Sequence, residues 1–252
     1  SISQRTGHEV PMNLTPSSMN RMALTIREPI GVVVAVSAFN HPFNLIVHQV
    51  IPAVAVGCPV IVKPANPTPL SCLSLVKCLY EAGLPEEWCR TIICENADAE
   101  KLVTDSRVAF FTFIGSGAVG WMLHSKLAPG TRCALEHGGA APVIVDHDAD
   151  LKDTLPLLAK GGFYHAGQVC VSVQKIYVHE SLIDSFSKGL VELAENLLVG
   201  DPLDEKTEVG PLILEREVNR VDQWVQEAKS EGGEILTGGK KIGATCYAPQ
   251  VI

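Results

Sequence analysis

Phe113-Ile114-Gly115-Ser116-Gly117-Ala118-Val119-Gly120 reads as a strand that runs through a glycine turn into a helix. Such a junction gathers backbone N–H groups and the positive end of a helix dipole at one point, where a phosphate would be well placed. The stretch spells G-x-G-x-x-G, and Glu136 follows about 20 residues on, where a dinucleotide-binding unit keeps an acid for a ribose. The same glycines also suit a chain that needs only a tight turn and close packing of helix on strand, and the motif alone does not separate the two.

Outward from that junction, short β-branched runs alternate with longer segments of helical period, the mark of an α/β fold built on a largely parallel sheet. Strands are expected over 31–36, 59–63, 107–114, 142–146 and 175–179, and helices over 43–56, 69–82, 117–127, 151–165, 181–198 and 215–230. In the fifth helix Ile183, Phe186, Leu190, Leu193 and Leu197 recur at three- and four-residue spacing, as a helix buried on one face requires, so the stripe is read as core. Residues 8–27 differ: two short extended pieces flank Pro16-Ser17-Ser18-Met19-Asn20, which fits a hairpin standing off the main sheet or an irregular loop.

Composition narrows the partners. With 252 residues, 46% of them hydrophobic, the chain can bury one large core or two modest ones. A net charge of −8 lacks the clustered Lys and Arg that nucleic acid or an anionic membrane calls for, which leaves a small molecule as the expected partner. The longest apolar tract, 46–62, is broken by His48, Gln49, Pro52 and Pro59, so it reads as a buried helix and a strand, not a membrane span. The opening SISQRTGHEV has no basic region followed by an apolar run, so no signal peptide is expected there. Eight cysteines, several in apolar runs and none in zinc-site pairs, are read as reduced thiols with no metal site, in a cytoplasmic setting.

Two further stretches carry reactive groups. In Tyr164-His165-Ala166-Gly167-Gln168-Val169-Cys170 a cysteine ends a small-residue loop, where open approach favours a nucleophilic thiolate, although an isolated cysteine more often packs as an inert core thiol. In Leu135-Glu136-His137-Gly138-Gly139 a carboxylate stands beside a glycine pair, where backbone approaches a ligand closely. A partly buried Glu there suits a general base, and the alternative is an ordinary solvated or paired carboxylate.

Taken in order, these segments resemble the aldehyde dehydrogenase superfamily: Glu28-Pro29-Ile30-Gly31-Val32-Val33, Phe39-Asn40-His41-Pro42, Lys63-Pro64-Ala65, Gly115-Ser116 with Gly120, Glu136-His137-Gly138-Gly139 and Gly167-Gln168-Val169-Cys170, then Gly200-Asp201-Pro202 and Gly210-Pro211. The resemblance implies a Rossmann-like parallel-sheet cofactor domain over 1–137, with an oligomerisation hairpin at 8–27. It also implies part of an α/β catalytic domain over 138–252, since members of the family are longer. By the same resemblance Cys170 attacks an aldehyde, the Asn40 amide and the Cys170 N–H hold the oxyanion, and Glu136 activates water to release a carboxylic acid. Phe39, Lys63, Asn66, Gly115, Ser116 and Gly120 would line an NAD or NADP site, with Lys63 at the adenosine ribose and Ser116 at the pyrophosphate. The ribose role first suggested for Glu136 then gives way to the catalytic one. Three residues depart from the family pattern. Asn66 stands where NAD-selective members carry Glu, which admits NADP. His137 stands where Leu is usual, and His41 follows the catalytic Asn; packing is the reading preferred for both. The expected protein is a homo-oligomer acting on a small aldehyde, with a coenzyme A-acylating enzyme and an inactive fragment as alternatives.

Overall fold

The computed structural model describes residues 7–252, which form two compact units divided between His137 and Gly138. In the first unit β1 (Gly7–Val10) and β2 (Ala23–Ile26) come before β3 (Val32–Val36), α1 (Pro42–Ala55), β4 (Val60–Lys63), α2 (Leu70–Glu81) and β5 (Cys89–Thr91). It ends with α3 (Asn96–Val103), β6 (Val108–Gly115), α4 (Gly117–His124) and β7 (Arg132–His137). The second unit holds β8 (Val143–Val145), α5 (Leu151–Phe163), β9 (Ile176–Val178), α6 (Ile183–Asn196) and α7 (Glu215–Ser230).

β1 and β2 pair antiparallel, Gly7 opposite Ile26 and Val10 opposite Ala23, so the segment around residues 8–27 takes the hairpin alternative. The other strands of the first unit form one five-stranded sheet in the order β5-β4-β3-β6-β7. Every pairing in it is parallel. β3 shows why both faces are covered. Val33 and Ala35 join Ile46, Val50, Cys72 and Val76 in one apolar cluster, which α1 and α2 cap. Val34 turns the opposite way and packs with Val103, Phe111, Phe113 and Leu123, under α3 and α4. Alternate residues of a strand face opposite sides, so VVVAV can be apolar throughout only where helices bury both faces. Each such side chain removed from water contributes about 1.5–3 kcal/mol before entropy is counted.

The second unit is smaller. Its sheet is the parallel pair β8-β9, Val143 opposite Ile176, and Val145, Leu158, Ala159, Phe186 and Leu190 form its core. Phe186 and Leu190 keep the stripe expected of α6, but Ile183 is exposed at the helix start, one turn short of the packed face. The helix expected over 151–165 ends at Phe163, because His165 and Ala166 take left-handed backbone angles (φ 51° and 54°) that a right-handed helix does not admit. β5, α3 and β7 were not among the expected elements.

Candidate active site

The parallel sheet sets out the candidate residues of the first unit. From β3 the chain moves outward through β4 to β5, then returns to β3's other side with β6 and continues to β7. The strand order therefore reverses between β3 and β6, and in open α/β sheets a ligand crevice opens outside the carboxyl ends of the strands at such a reversal. Phe39 and Asn40, both half-buried, lie just beyond β3. Gly115 ends β6, Ser116 caps α4, and Glu136 sits near the end of β7, paired with Ile114. Lys63 ends β4.

Each group has a physical reason to be where it is. Ser116 Oγ accepts the Val119 N–H at 3.4 Å, which starts α4 directly after the strand and turns the helix's first N–H groups towards the crevice end of the sheet. Gly120 is needed because a Cβ there would collide with His137 Nε2. The His137 ring fills that gap between α4 and β7, edge-on to Trp121 at 5.6 Å and Phe113 at 6.3 Å, so packing is its observed role. Lys63 is 5% exposed. Its Nζ donates to Asn66 Oδ1 at 2.8 Å and to the Pro64 carbonyl at 3.2 Å. Burial pushes the Lys63 ammonium below its ordinary value, against the opposing pull of Cys94 and Glu95. Glu136 is exposed on the edge strand. The partial burial expected of it is not seen, because β7 leaves alternate side chains uncovered.

Gln49 was met in the sequence only as an interruption of an apolar tract. In the structure it is a buried side chain of α1 whose Nε2 lies 3.2 Å from the Val36 carbonyl, the Thr112 carbonyl and Thr112 Oγ1. It thereby ties β3 to β6 where the strand order reverses, and supplies a donor to carbonyls near the strand ends.

The second unit carries the thiol. α5 ends at Phe163, a short turn spans Tyr164–Gly167, and the chain passes through Cys170 to β9. Cys170 is exposed, whereas its neighbour Val169 is 8% exposed and Ser172 fully buried. Ser172 Oγ donates to the Gly162 carbonyl at 3.2 Å, and Val173 N–H to the Gly161 carbonyl at 3.0 Å. Gly139 passes so close that a Cβ there would lie 2.9 Å from the Cys170 carbonyl oxygen, which accounts for that glycine. All eight cysteines are free. Burial raises the Cys72 thiol and pushes Cys89 up to about 11, so both stay protonated and inert at neutral pH. Asp146, His147 and Asp148, all exposed, bring potential ligand atoms within 4.8 Å of one another, with the Asp146 carboxylate bonded to His147. Among the described residues no helix is long and apolar enough to cross a membrane.

Comparison with known proteins gives a consistent answer. Residues 2–252 match the aldehyde dehydrogenase family. The chain is 43% identical over 247 residues to the 3-sulfolactaldehyde dehydrogenase of Priestia megaterium, covering 98% of this chain and 51% of that protein. It is 40% identical over 235 residues to the lactaldehyde dehydrogenase of Methanocaldococcus jannaschii, covering 91% and 50%. The crystal structure of a glyceraldehyde-3-phosphate dehydrogenase from the same organism, complexed with NADP, superposes with a TM-score of 0.91 at 36% identity, over 99% of this chain and 54% of that one. The chain spans about half the length of the curated relatives it matches.

Proposed function

Since the chain belongs to the aldehyde dehydrogenase family, we propose that it supplies the cofactor-binding and nucleophile-bearing parts of an enzyme that oxidises a small aldehyde to a carboxylic acid with NAD or NADP. The observation that carries this reading is the gathering of Asn40, Lys63, Ser116 and Glu136 at the carboxyl end of one parallel sheet, around its reversal of strand order. Residues 1–137 are the cofactor domain and 138–252 belong to the catalytic domain.

The residues suit the cofactor. The start of α4 offers N–H groups to a pyrophosphate, Phe39 and Gly115 flank that approach, Gly120 makes room for the His137 ring behind the helix start instead of facing the dinucleotide, and Lys63 with Asn66 reaches the adenosine ribose. When bound, the nicotinamide supplies the acceptor for the hydride that leaves the aldehyde carbon. The Cys170 thiolate adds to the carbonyl carbon. The Asn40 amide and the Cys170 N–H donate to the oxygen as its charge develops. Two-electron oxidation of that carbon leaves a thioester on Cys170. Glu136 takes a proton from water, the water oxygen attacks the thioester carbon, and the carboxylic acid departs as the thiolate returns. Glu136 favours water over coenzyme A as the acyl acceptor.

The aldehydes named for two relatives, 3-sulfolactaldehyde and lactaldehyde, both carry a hydroxyl beside the carbonyl, so we take a small 2-hydroxyaldehyde as the substrate class. The apolar hairpin supports a homo-oligomer, and eight free thiols support a reducing, cytoplasmic setting. The test is NAD(P)H formation by the whole gene product from such aldehydes, with and without coenzyme A and with Cys170→Ala. Turnover that needs Cys170 but not coenzyme A is expected. Turnover that survives Cys170→Ala would overturn the nucleophile assignment, a requirement for coenzyme A would make the enzyme acylating, and a folded protein with no turnover would leave an inactive fragment.

A further inference from the structure

The loop that leads to Cys170 is bent in a way its own residues disfavour. His165, Ala166 and Gly167 are successively left-handed, with φ of 51°, 54° and 73°. Only glycine enters that region freely, so His165 and Ala166 must be held there by their surroundings. The Gln168 side chain supplies one restraint. Its Nε2 donates to the His165 carbonyl at 3.0 Å, alongside the Gln168 backbone N–H, which donates to the same oxygen at 3.1 Å. Its Oε1 accepts the backbone N–H of Ile213 at 3.0 Å, and Nε2 reaches the Pro211 carbonyl at 3.5 Å. One amide therefore closes the left-handed turn and fastens it to the 211–213 strip. On the other side of Cys170, Ser172 is fixed by its bonds to Gly162 and Val169. The exposed thiol is thus suspended between two anchors.

We propose that Gln168 is a positioning residue for Cys170: it clamps the nucleophile loop against residues 211–213 and so fixes the direction from which Sγ meets its substrate. The inference rests on Cys170 being the nucleophile. The position asks for an acceptor and a donor on one side chain of this length. Glutamate offers the acceptor alone and would turn negative charge on the His165 and Pro211 carbonyls; methionine has the reach and makes neither bond. A carboxylate two residues before the thiol would also disfavour the thiolate, whereas methionine would not. The two substitutions therefore separate a mechanical role from an electrostatic one.

The experiment is carried out on the whole gene product. Alkylation of Cys170 by iodoacetamide is followed by peptide mass mapping across the pH range of thiol ionisation, with exposed Cys78 on α2 as reference and buried Cys72 and Cys89 as reporters of unfolding. Steady-state turnover is measured in parallel. For Gln168→Met, turnover is expected to fall on the order of tenfold with the KM for cofactor unchanged, since a misdirected nucleophile loses rate and not affinity. The limiting alkylation rate of Cys170 should rise several-fold as the loop opens, with Cys78, Cys72 and Cys89 unaffected. Gln168→Glu should show the same loss and, in addition, a Cys170 profile displaced to higher pH. Alkylation and turnover both within about twofold of wild type in a folded Gln168→Met protein would overturn the clamp, being well short of what misplacement costs. So would a rise in Cys72 and Cys89 labelling that matched the rise at Cys170. Should Gln168→Met not fold, Gln168→Glu, which keeps the acceptor for Ile213, decides the same question. Turnover that persists in Cys170→Ala would remove the catalytic premise by itself, and the alkylation rates would still decide whether Gln168 holds the loop.

Discussion

Asn66 and Lys63 show how one side chain can set a preference between cofactors. Lys63 Nζ is bonded to a neutral amide oxygen, Asn66 Oδ1 at 2.8 Å. A carboxylate in its place would hold the same ammonium and repel a 2′-phosphate. Asn66→Glu is therefore expected to raise the ratio of kcat/KM for NAD over NADP by about tenfold, some 1.4 kcal/mol; an unchanged ratio in steady-state assays would remove Asn66 from cofactor choice. The same substitution has a pH signature. Burial lowers the Lys63 value from 10.5, so between the lowered value and 10.5 the unfolded chain holds the extra proton and stability rises with pH. An added carboxylate narrows that interval, and urea titrations at alkaline pH should show a flatter rise. His137 makes a second case. Its Nε2 is buried with no partner among the described residues, and an unmade bond of that kind costs about 1–3 kcal/mol. His137→Leu should accordingly raise Tm, by about 2–4 °C per kcal/mol recovered in a chain of this size. Gly120→Ala should lower stability by about 1–3 kcal/mol through overpacking against that ring. His137→Ala, which clears the space, should relieve much of the cost in a double-mutant cycle.

The hairpin shows what an element can expose. Met22, just before the second strand, and Leu24 and Ile26 on it occupy alternate positions and are 81%, 58% and 72% exposed, so the hairpin presents a row of apolar side chains to solvent. Met22→Lys with Ile26→Lys should shift the protein to a smaller species in analytical ultracentrifugation while leaving far-UV circular dichroism unchanged; an unaltered sedimentation coefficient would exclude this face from assembly. How far such elements could be read in advance depends on the range of the forces that form them. β3, β4 and β6 announce themselves because both faces of each are covered and the runs are mostly apolar, broken only by Lys63 at the end of β4 and Thr112 in β6. β7 does not, since at the sheet edge its RCALEH alternates exposed and covered side chains. β5 is only Cys89-Arg90-Thr91, without the apolar, largely β-branched run that marks the equally short β8 and β9. The early end of α5 depends on a left-handed turn that Gln168 holds from outside the helix. Ser116 and Glu136 stood out in local motifs and Asn40 and Lys63 through the resemblance of theirs to the family's, all four close to strand ends. Gln49 did not, and Gln168 was met only as a letter of the motif around Cys170, because the bonds that define their roles reach 63 and 45 residues along the chain.

Over the whole chain, acid groups outnumber basic ones and the net charge is −8, so acid stability rests on the carboxylates that have found partners. The Arg107 guanidinium and backbone N–H hold Asp105 well below the usual carboxylate range, and His147 draws Asp146 down in the same direction. A carboxylate depressed in the folded state contributes stability above its unfolded value and loses it as pH falls through the folded one. Asp105→Asn should therefore lower Tm at neutral pH and make little difference in strongly acid solution; equal losses at both would show that Arg107 contributes nothing through charge. The order β5-β4-β3-β6-β7 also has a consequence for how the chain is made. β3 gains β4 as a neighbour soon after it leaves the ribosome, but its other edge pairs with β6, roughly seventy residues later. At a synthesis rate of about 5–20 residues per second, the innermost strand waits several seconds with a row of N–H and C=O groups open beside Val34 and Ala35. That interval gives a nascent chain time to pair with a neighbour on the same polysome or to be met by a chaperone.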